Sequence, residues 1–400
     1  MLVPKLRFKE FNDEWQQKEL KDISNILSGK RIPKGLYAVN YNTGIPYITV
    51  SSMGDFFINE KEVQYITKDV EKYILKYKVN TNDIILSVAG TLGKLNVVQK
   101  NLSGANLTEN CNKITNIDNN SYYLYVYYYL KFCIDKYILL LSTKSSQPKI
   151  ALDRIRNMTI NLPSLEEQTK IANFLSLIDR KIELQEKLVE NLKLYKKGLL
   201  KKVFSNNLGW KTAKLNDISS ILSGKRIPKG MDTVSYNTGI PYITVSNMGD
   251  FFVNENNIKY ITNDVEKQIL KYKVKTNDII ISVAGTLGKI NIIQKNLCNA
   301  NLTENCDKIT NISKNINYLY LYYYLVVFIN EYINSISTKS SQPKLALDKI
   351  RTFEIKYPSI EEQNRIANLF TSLDKKIGLE TKKLQDLKTY KKGLLQKMFI

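Results

Sequence analysis

Apolar residues along one stretch of the chain recur by steps of four and three: Ile171, Leu175, Ile178 and Ile182, then Val189, Leu192, Leu199 and Val203. A spacing near 3.5 residues per turn predicts a long helix whose apolar seam needs a partner helix. The start is marked by Leu162-Pro163-Ser164, with Ser164 as cap and Glu167 three residues on, the arrangement of a capping box. The pattern returns in Ile366, Phe370, Leu373 and Ile377, then Leu384, Leu387, Leu394 and Met398. Gln185 and Lys196 interrupt the first seam, and Glu380 and Lys391 the second. About 38 residues at about 1.5 Å each give a rod of roughly 57 Å. With one such helix in each half, the simplest partners are each other. Ahead of each rod the pattern changes to short strand-like runs, Ile45 to Val50 and Ile84 to Val88, between turn signals such as Asn42-Thr43-Gly44 and Met53-Gly54-Asp55. The run Tyr122 to Tyr129 is ambiguous by periodicity, but it continues through KFCIDKYILLL and is read as a helix whose tyrosines pack in a core rather than stack on bases.

The chain repeats itself at an offset of 195 residues: Trp15 falls on Trp210, ISNILSGKRIPKG on ISSILSGKRIPKG, and STKSSQPKI on STKSSQPKL. Roughly two-thirds of the positions from Asp22 to Phe204 match those from Asp217 to Phe399, a period far longer than the about 20–50 residues of solenoid repeats. Two copies of a whole domain are therefore expected, each a mixed globular part followed by a rod. The short connection Ser205-Asn206-Asn207-Leu208-Gly209 is turn-rich.

Charge narrows the class. There are 59 Lys and Arg against 38 Asp and Glu, a net charge of +21, which favours a polyanionic partner, with DNA or RNA foremost. No histidine is present, so histidine-based catalysis is excluded, and the four cysteines (Cys111, Cys133, Cys298 and Cys306) form no CxxC pair. They are read as small core fillers in a reducing cytoplasm, with no metal site. No run of eighteen apolar residues predicts a membrane span, and MLVPKLRFKEFNDEW lacks an apolar secretion signal, so a cytoplasmic location is expected.

SVAGTLGK occurs twice, at Ser87–Lys94 and Ser282–Lys289. A phosphate-binding P-loop needs four residues between its glycines and a Ser or Thr after the lysine; here two residues separate Gly90 from Gly93, and Leu95 or Ile290 follows. Two readings stay open: a glycine turn of purely structural use, or a turn placing Thr91, Lys94, Thr286 and Lys289 at a nucleic-acid backbone.

The phrases LPSLEEQTKIANFLSLIDRKI and YPSIEEQNRIANLFTSLDKKI resemble the helix start of type I restriction–modification specificity subunits, and PKLRFKEFNDEW and GTLGK are also similar to that family. The resemblance covers essentially the whole chain. It implies an α+β architecture in which two mixed α/β target recognition domains (1–161 and 206–356) are separated by two long antiparallel coiled-coil helices (162–205 and 357–400) with pseudo-twofold symmetry. It implies that each recognition domain reads one half of a bipartite site in double-stranded DNA, and that the rods set the spacing. It further implies two methyltransferase subunits using S-adenosylmethionine, and two translocating endonuclease subunits, dependent on ATP and Mg, able to join. The chain itself would bind no cofactor and catalyse nothing. In keeping with this, no Asn/Asp-Pro-Pro-Tyr/Phe motif, Gly-x-Gly-x-x-Gly loop or nuclease-like acidic cluster stands out. Other classes are a coiled-coil adaptor and a stand-alone DNA-binding protein outside restriction–modification.

Three loops per copy combine cations, small polar residues and turn formers. The first offers Lys30, Arg31 and Lys34, with Lys225, Arg226 and Lys229 as counterparts; lysines suit phosphates, and an arginine can grip guanine with two hydrogen bonds. The second is the SVAGTLGK turn. The third offers Lys144, Ser145, Ser146, Gln147 and Lys149, with Lys339, Ser340, Ser341, Gln342 and Lys344; the glutamine amides match adenine. Each loop has a plain alternative as solvated surface. The segment Asn106-Leu107-Thr108-Glu109-Asn110, unchanged at Asn301–Asn305, reads as a buried polar turn in preference to a base reader. Two such similar readers on antiparallel helices should recognise inverted copies of one half-site, giving a palindromic or near-palindromic target. The copies differ at Leu36-Tyr37-Ala38 against Met231-Asp232-Thr233 and at Lys61-Glu62-Val63-Gln64 against Asn256-Asn257-Ile258-Lys259, where half-sites could diverge.

Overall fold

The structure, a computed structural model, describes the backbone of residues 3–141, 148–336 and 345–400, and the side chains of all of these except 139–141 and 336. Its contacts divide the chain into two units: residues 1–186 together with 382–400, and residues 187–381.

In the first unit, the apolar run around Ile84 becomes the inner strand of a four-stranded antiparallel sheet, ordered Asn25–Ser28, Cys111–Thr115, Ile84–Ser87, Leu95–Val97. Successive residues of a strand point to opposite faces, and both faces are covered. Ile84 and Leu86 join a core with Trp15, Ile114 and the tyrosine helix, whereas Ile85 enters a second core with Ile48, Val98 and Leu107. That explains why the strand reads as continuously apolar instead of alternating. A three-stranded sheet (Gln64–Tyr65, Pro46–Ile48, Asn106–Leu107) has one antiparallel and one parallel pairing. Gln16–Glu19 pairs with Thr159–Leu162, tying the two ends of the globular part together.

The tyrosine run forms helix α1 (Tyr123–Leu141). Tyr125, Tyr127 and Tyr128 are fully buried, and their hydroxyls are used inside the fold: Tyr125 donates to the Asn161 carbonyl (2.6 Å), Tyr127 to that of Asp55 (3.2 Å) and Tyr128 to the Asp179 carboxylate (2.7 Å). Core packing is thus their role, since a buried hydroxyl left unpaired would be costly.

The first rod is helix α2 (Leu165–Ser205). At its start Ser164 Oγ accepts the Glu167 N–H (3.3 Å), while the Glu167 carboxylate receives two hydrogen bonds from the Arg7 guanidinium (both 2.8 Å). Gln168, not singled out by the sequence reading, is buried; its amide accepts from Tyr122 N and donates to the carbonyls of Asn120 and Pro163, locking the rod to the start of α1.

The first unit is closed by the end of the second rod. There Leu394, Leu395, Met398 and Phe399 enter the same core as Ile171, Leu175, Ile178 and Ile182, with Leu384 and Leu387 partly buried against it. Phe399 packs between Tyr125, Tyr129 and Phe132. The pairing is antiparallel: Asp179 meets Lys391, and Glu186 meets Lys388. Lys391, an apparent defect in the seam, has its ammonium on Asp179 and over the ring of Tyr128.

The second unit repeats this plan. Helix α3 (Tyr318–Ile336) supplies Tyr320, Tyr322 and Tyr323 to the core, and helix α4 (Ile360–Met398) is the second rod. Here the closing segment comes from the first rod: Leu200 and Phe204 join Ile366, Ala367 and Phe370, and Lys196 pairs with Asp374 (2.5 Å) over the ring of Tyr323. The set Tyr128–Asp179–Lys391 in one unit thus corresponds to Tyr323–Asp374–Lys196 in the other. The seam departs from strict heptads near its end. Leu200 and Phe204 are the fully buried positions, while Leu199, Val203 and, earlier, Leu192 and Leu373 are only half-buried; Val189 and Ile377 are buried as expected. The shift arises because the helix ends face a globular core, which needs a wider apolar stripe than a two-helix seam.

Cys111, Cys133 and Cys306 are buried, and burial pushes each thiol up to about 12. Cys298 corrects the expectation of a core filler: it is exposed, as the turn after a short helical segment keeps it at the surface.

The half-buried ion pair sets a contrast. Lys391→Ala leaves the Asp179 carboxylate with Tyr128 as a hydroxyl donor but without its counter-charge, and the first unit is expected to lose about 2 kcal/mol. Lys388→Ala removes a solvent-exposed partner of Glu186 and should cost below about 1 kcal/mol. Amide exchange in α1 reads the difference; equal effects would show that the half-buried pair is not special.

Candidate nucleic-acid interface

Backbone hydrogen bonds gather the sequence-predicted loops of each unit around one polar turn. In the first unit that turn is Thr108-Glu109-Asn110. Gly29 N donates to Cys111 O (3.0 Å) and Lys30 N to Leu107 O (2.8 Å), so the Lys30–Lys34 loop lies on one side of it. On the other side Val88 N donates to Asn110 O (2.8 Å), anchoring the SVAGTLGK loop. Ile150 N in turn donates to Val88 O (3.0 Å), and Ala89 bridges to Lys149, which brings in the end of the third loop. In the second unit the same chain runs from Gly224 and Lys225 through Asn305 to Val283 and Leu345.

The contact at Gly29 leaves no room for a side chain: a Cβ there would sit 2.1 Å from Thr108 O, and at Gly224 2.0 Å from Thr303 O. Lys30, Arg31 and Lys34 are exposed, as are Lys225, Arg226 and Lys229. Tyr47 holds the loop through a hydrogen bond from its hydroxyl to Lys30 O (3.2 Å), and the Lys30 ammonium lies over the Tyr77 ring.

The SVAGTLGK loop is a turn stapled by its own serine. Ser87 Oγ donates to Thr91 O (2.6 Å) and accepts from Lys94 N (2.8 Å). Gly93, with φ +78°, lies against Ile138, where a Cβ would be 2.2 Å from Cδ1. The lysines differ between copies: Lys94 donates to the Met53 carbonyl (3.2 Å), whereas Lys289 is exposed. Thr91 and Thr286 are exposed. Of the third loop, Lys149 is described and exposed; Lys144, Ser145, Ser146, Gln147, Lys339, Ser340, Ser341, Gln342 and Lys344 lie outside the described residues.

The feature that the sequence reading passed over is Glu109. Its Oε1 accepts from Arg31 Nε (2.5 Å) and its Oε2 from Thr108 Oγ1 (3.0 Å); Glu304 does the same for Arg226 (2.6 Å) and Thr303 (2.9 Å). Partial burial raises the Glu109 carboxyl, but the Arg31 hydrogen bond with the local backbone and hydroxyl donors outweighs it and holds the group below its usual range; Glu304 behaves alike. The signal in the sequence was the unchanged Thr-Glu-Asn in both copies. Among the described residues no group of His, Cys, Asp and Glu is arranged to hold a metal, and no helix is long and apolar enough to cross a membrane.

This loop cluster is mounted twice on the same scaffold and followed each time by a rod, and the duplication is matched in a family of known proteins. The type I restriction modification DNA specificity domain matches residues 12–194 and again 207–389. The chain belongs to this specificity-domain family. Among its relatives, the type I restriction enzyme MjaVIII specificity subunit of Methanocaldococcus jannaschii is 24% identical, covering 97% of this chain and 94% of its own. The fold is shared with the crystal structure of the type I restriction–modification S subunit from M. genitalium (TM-score 0.61, 19% identity, 100% of this chain and 99% of that one). It is also shared with a chain from a structural study of complex assembly and conformational transition in a type I restriction–modification system (TM-score 0.60, 15% identity, 98% and 99%). The two matches show that the duplication here is of whole domains.

The buried approach of Gly29 is directly testable. Gly29→Ala is expected to destabilise the first unit by about 3 kcal/mol, because the backbone of Thr108 cannot yield cheaply, and to leave the second unit unchanged. Gly224→Ala should do the reverse. Calorimetry resolving the two units would show it, and coincident, unshifted transitions would contradict the close approach.

Proposed function

We propose that this chain is the DNA-specificity subunit of a type I restriction–modification complex, and that its two units read the two halves of one bipartite site in double-stranded DNA. The carrying observation is the duplicated loop cluster around Thr108–Asn110 and Thr303–Asn305: exposed lysines and an arginine on a backbone-pinned scaffold suit phosphates and base edges. The net charge of +21 supports the same partner.

Chemistry is assigned to partners. Methyltransferase subunits, two per chain, would methylate adenine using S-adenosylmethionine, and translocating endonuclease subunits using ATP and Mg would restrict. The chain itself binds no cofactor and acts as a non-catalytic address in the cytoplasm. Support comes from its lack of histidine and from three buried thiols kept protonated, which leaves few groups suited to acid–base or nucleophilic work.

The two half-sites are proposed to be the same sequence in inverted orientation. Lys30, Arg31 and Lys34 have Lys225, Arg226 and Lys229 as equivalents, and the antiparallel helix pairing inside each unit is the pairing that inverted half-sites call for. Genome-wide mapping of methylated adenine in cells carrying this chain with its methyltransferase is expected to give one palindromic or near-palindromic bipartite motif. Two unrelated half-sites would contradict the symmetry; no bipartite motif would contradict the assignment itself.

A further inference from the structure

We propose that Arg31 and Arg226 are the guanine readers of the two half-sites, and that Glu109 and Glu304 are the positioning residues that aim them. This rests on the DNA-specificity reading and names the base recognised at one position of each half-site.

Each of these arginines is held in an ion pair with a glutamate of the central turn. The Arg31 side chain is 76% exposed and Arg226 79%, and pairs so exposed contribute little to folding. Their partners are different in kind. Glu109 and Glu304 are half-buried, with side chains only 28% and 25% exposed, and each carboxylate is fixed by a second hydrogen bond from the preceding threonine. A carboxylate held in place and an arginine held out in water together make a bracket.

The bracket uses one edge of the guanidinium. Only Nε of Arg31 or Arg226 is bonded to the glutamate; Nη1 and Nη2 make no hydrogen bond to any described residue. The two terminal N–H groups are thus presented as a parallel pair, the geometry that matches the O6 and N7 acceptors of guanine in the major groove. Tethering Nε also removes side-chain rotations that an unrestrained arginine would lose on binding, so the pair is preorganised.

The surroundings fit the assignment. The neighbouring Lys30 and Lys34 are exposed on the same loop and suit flanking phosphates. The glutamate disfavours a purely phosphate-gripping role for this arginine, because a carboxylate beside the guanidinium weakens its attraction to a phosphate while leaving hydrogen-bond direction intact. The bracket is identical in both copies, although Leu36-Tyr37-Ala38 beside it has become Met231-Asp232-Thr233.

The test uses the full chain with its methyltransferase partner, read by methylated-adenine mapping and by equilibrium binding of the purified complex to duplexes carrying the mapped motif. Arg31→Lys keeps the charge and loses the two-pronged grip. It is expected to relax one guanine position in one half-site, and Arg226→Lys the equivalent guanine in the other. In binding, replacing that guanine by adenine should weaken the parent complex about 5- to 150-fold and the matching lysine variant hardly at all. Glu109→Ala should relax the same position as Arg31→Lys, while Glu109→Gln, which keeps an acceptor for Nε, should retain the preference; a merely structural glutamate would not move base preference at one position. An Arg31→Lys complex that still demands every base of the motif, or that loses affinity equally on all sequences, overturns the assignment. A parent complex that yields no bipartite motif instead overturns the specificity reading beneath it.

Discussion

Each unit of this protein depends on a core that its own contiguous sequence does not complete. The globular part and the first half of its rod leave an aromatic surface, made by Tyr125, Tyr129 and Phe132 in the first unit and by Tyr320, Tyr324 and Phe328 in the second. Phe399 covers the first and Phe204 the second, each arriving on the end of the rod that starts in the other repeat. A buried phenylalanine of this kind is worth roughly 3–5 kcal/mol when truncated to alanine, a large part of the stability of a domain. The Asp179–Lys391 and Asp374–Lys196 pairs add direction, because a half-buried charge tolerates only one register.

From that closure the recognition surface follows. The tyrosine helix backs the four-stranded sheet, and the sheet's strand ends support the Thr108–Asn110 turn. Backbone hydrogen bonds from Gly29, Lys30 and Val88 then fix two loops relative to that turn, with Ile150 adding the end of the third. Loops held by main-chain bonds can vary their side chains without losing position, which is the property a DNA reader needs. The chemistry at the surface is correspondingly plain: exposed cations and, in each unit, one arginine paired with a glutamate.

Much of this was legible in the sequence because two signals were strong. An offset of 195 residues announced two equal domains, and the four–three spacing announced both rods. The tyrosines were placed in the core correctly, since so dense an apolar run has nowhere else to go. What stayed hidden concerned pairings between distant residues. Lys196 and Lys391 looked like flaws until Asp374 and Asp179 appeared opposite them, and Glu109 looked like part of a turn until Arg31 reached it from 78 residues away. Leu200 displaced Leu199 because a helix end facing a globular core no longer follows a two-helix period. Cys298 was misjudged because residue size alone does not reveal which side of a turn is wet.

The exchange of rod ends is the claim on which the rest stands, and truncation tests it most directly. A chain ending at Thr381 lacks the segment that completes the first unit and keeps all of the second. Amide hydrogen exchange should then show protection lost in Tyr123–Leu130 and Cys111–Thr115 but kept in Cys306–Thr310. Protection unchanged in both units would contradict the account.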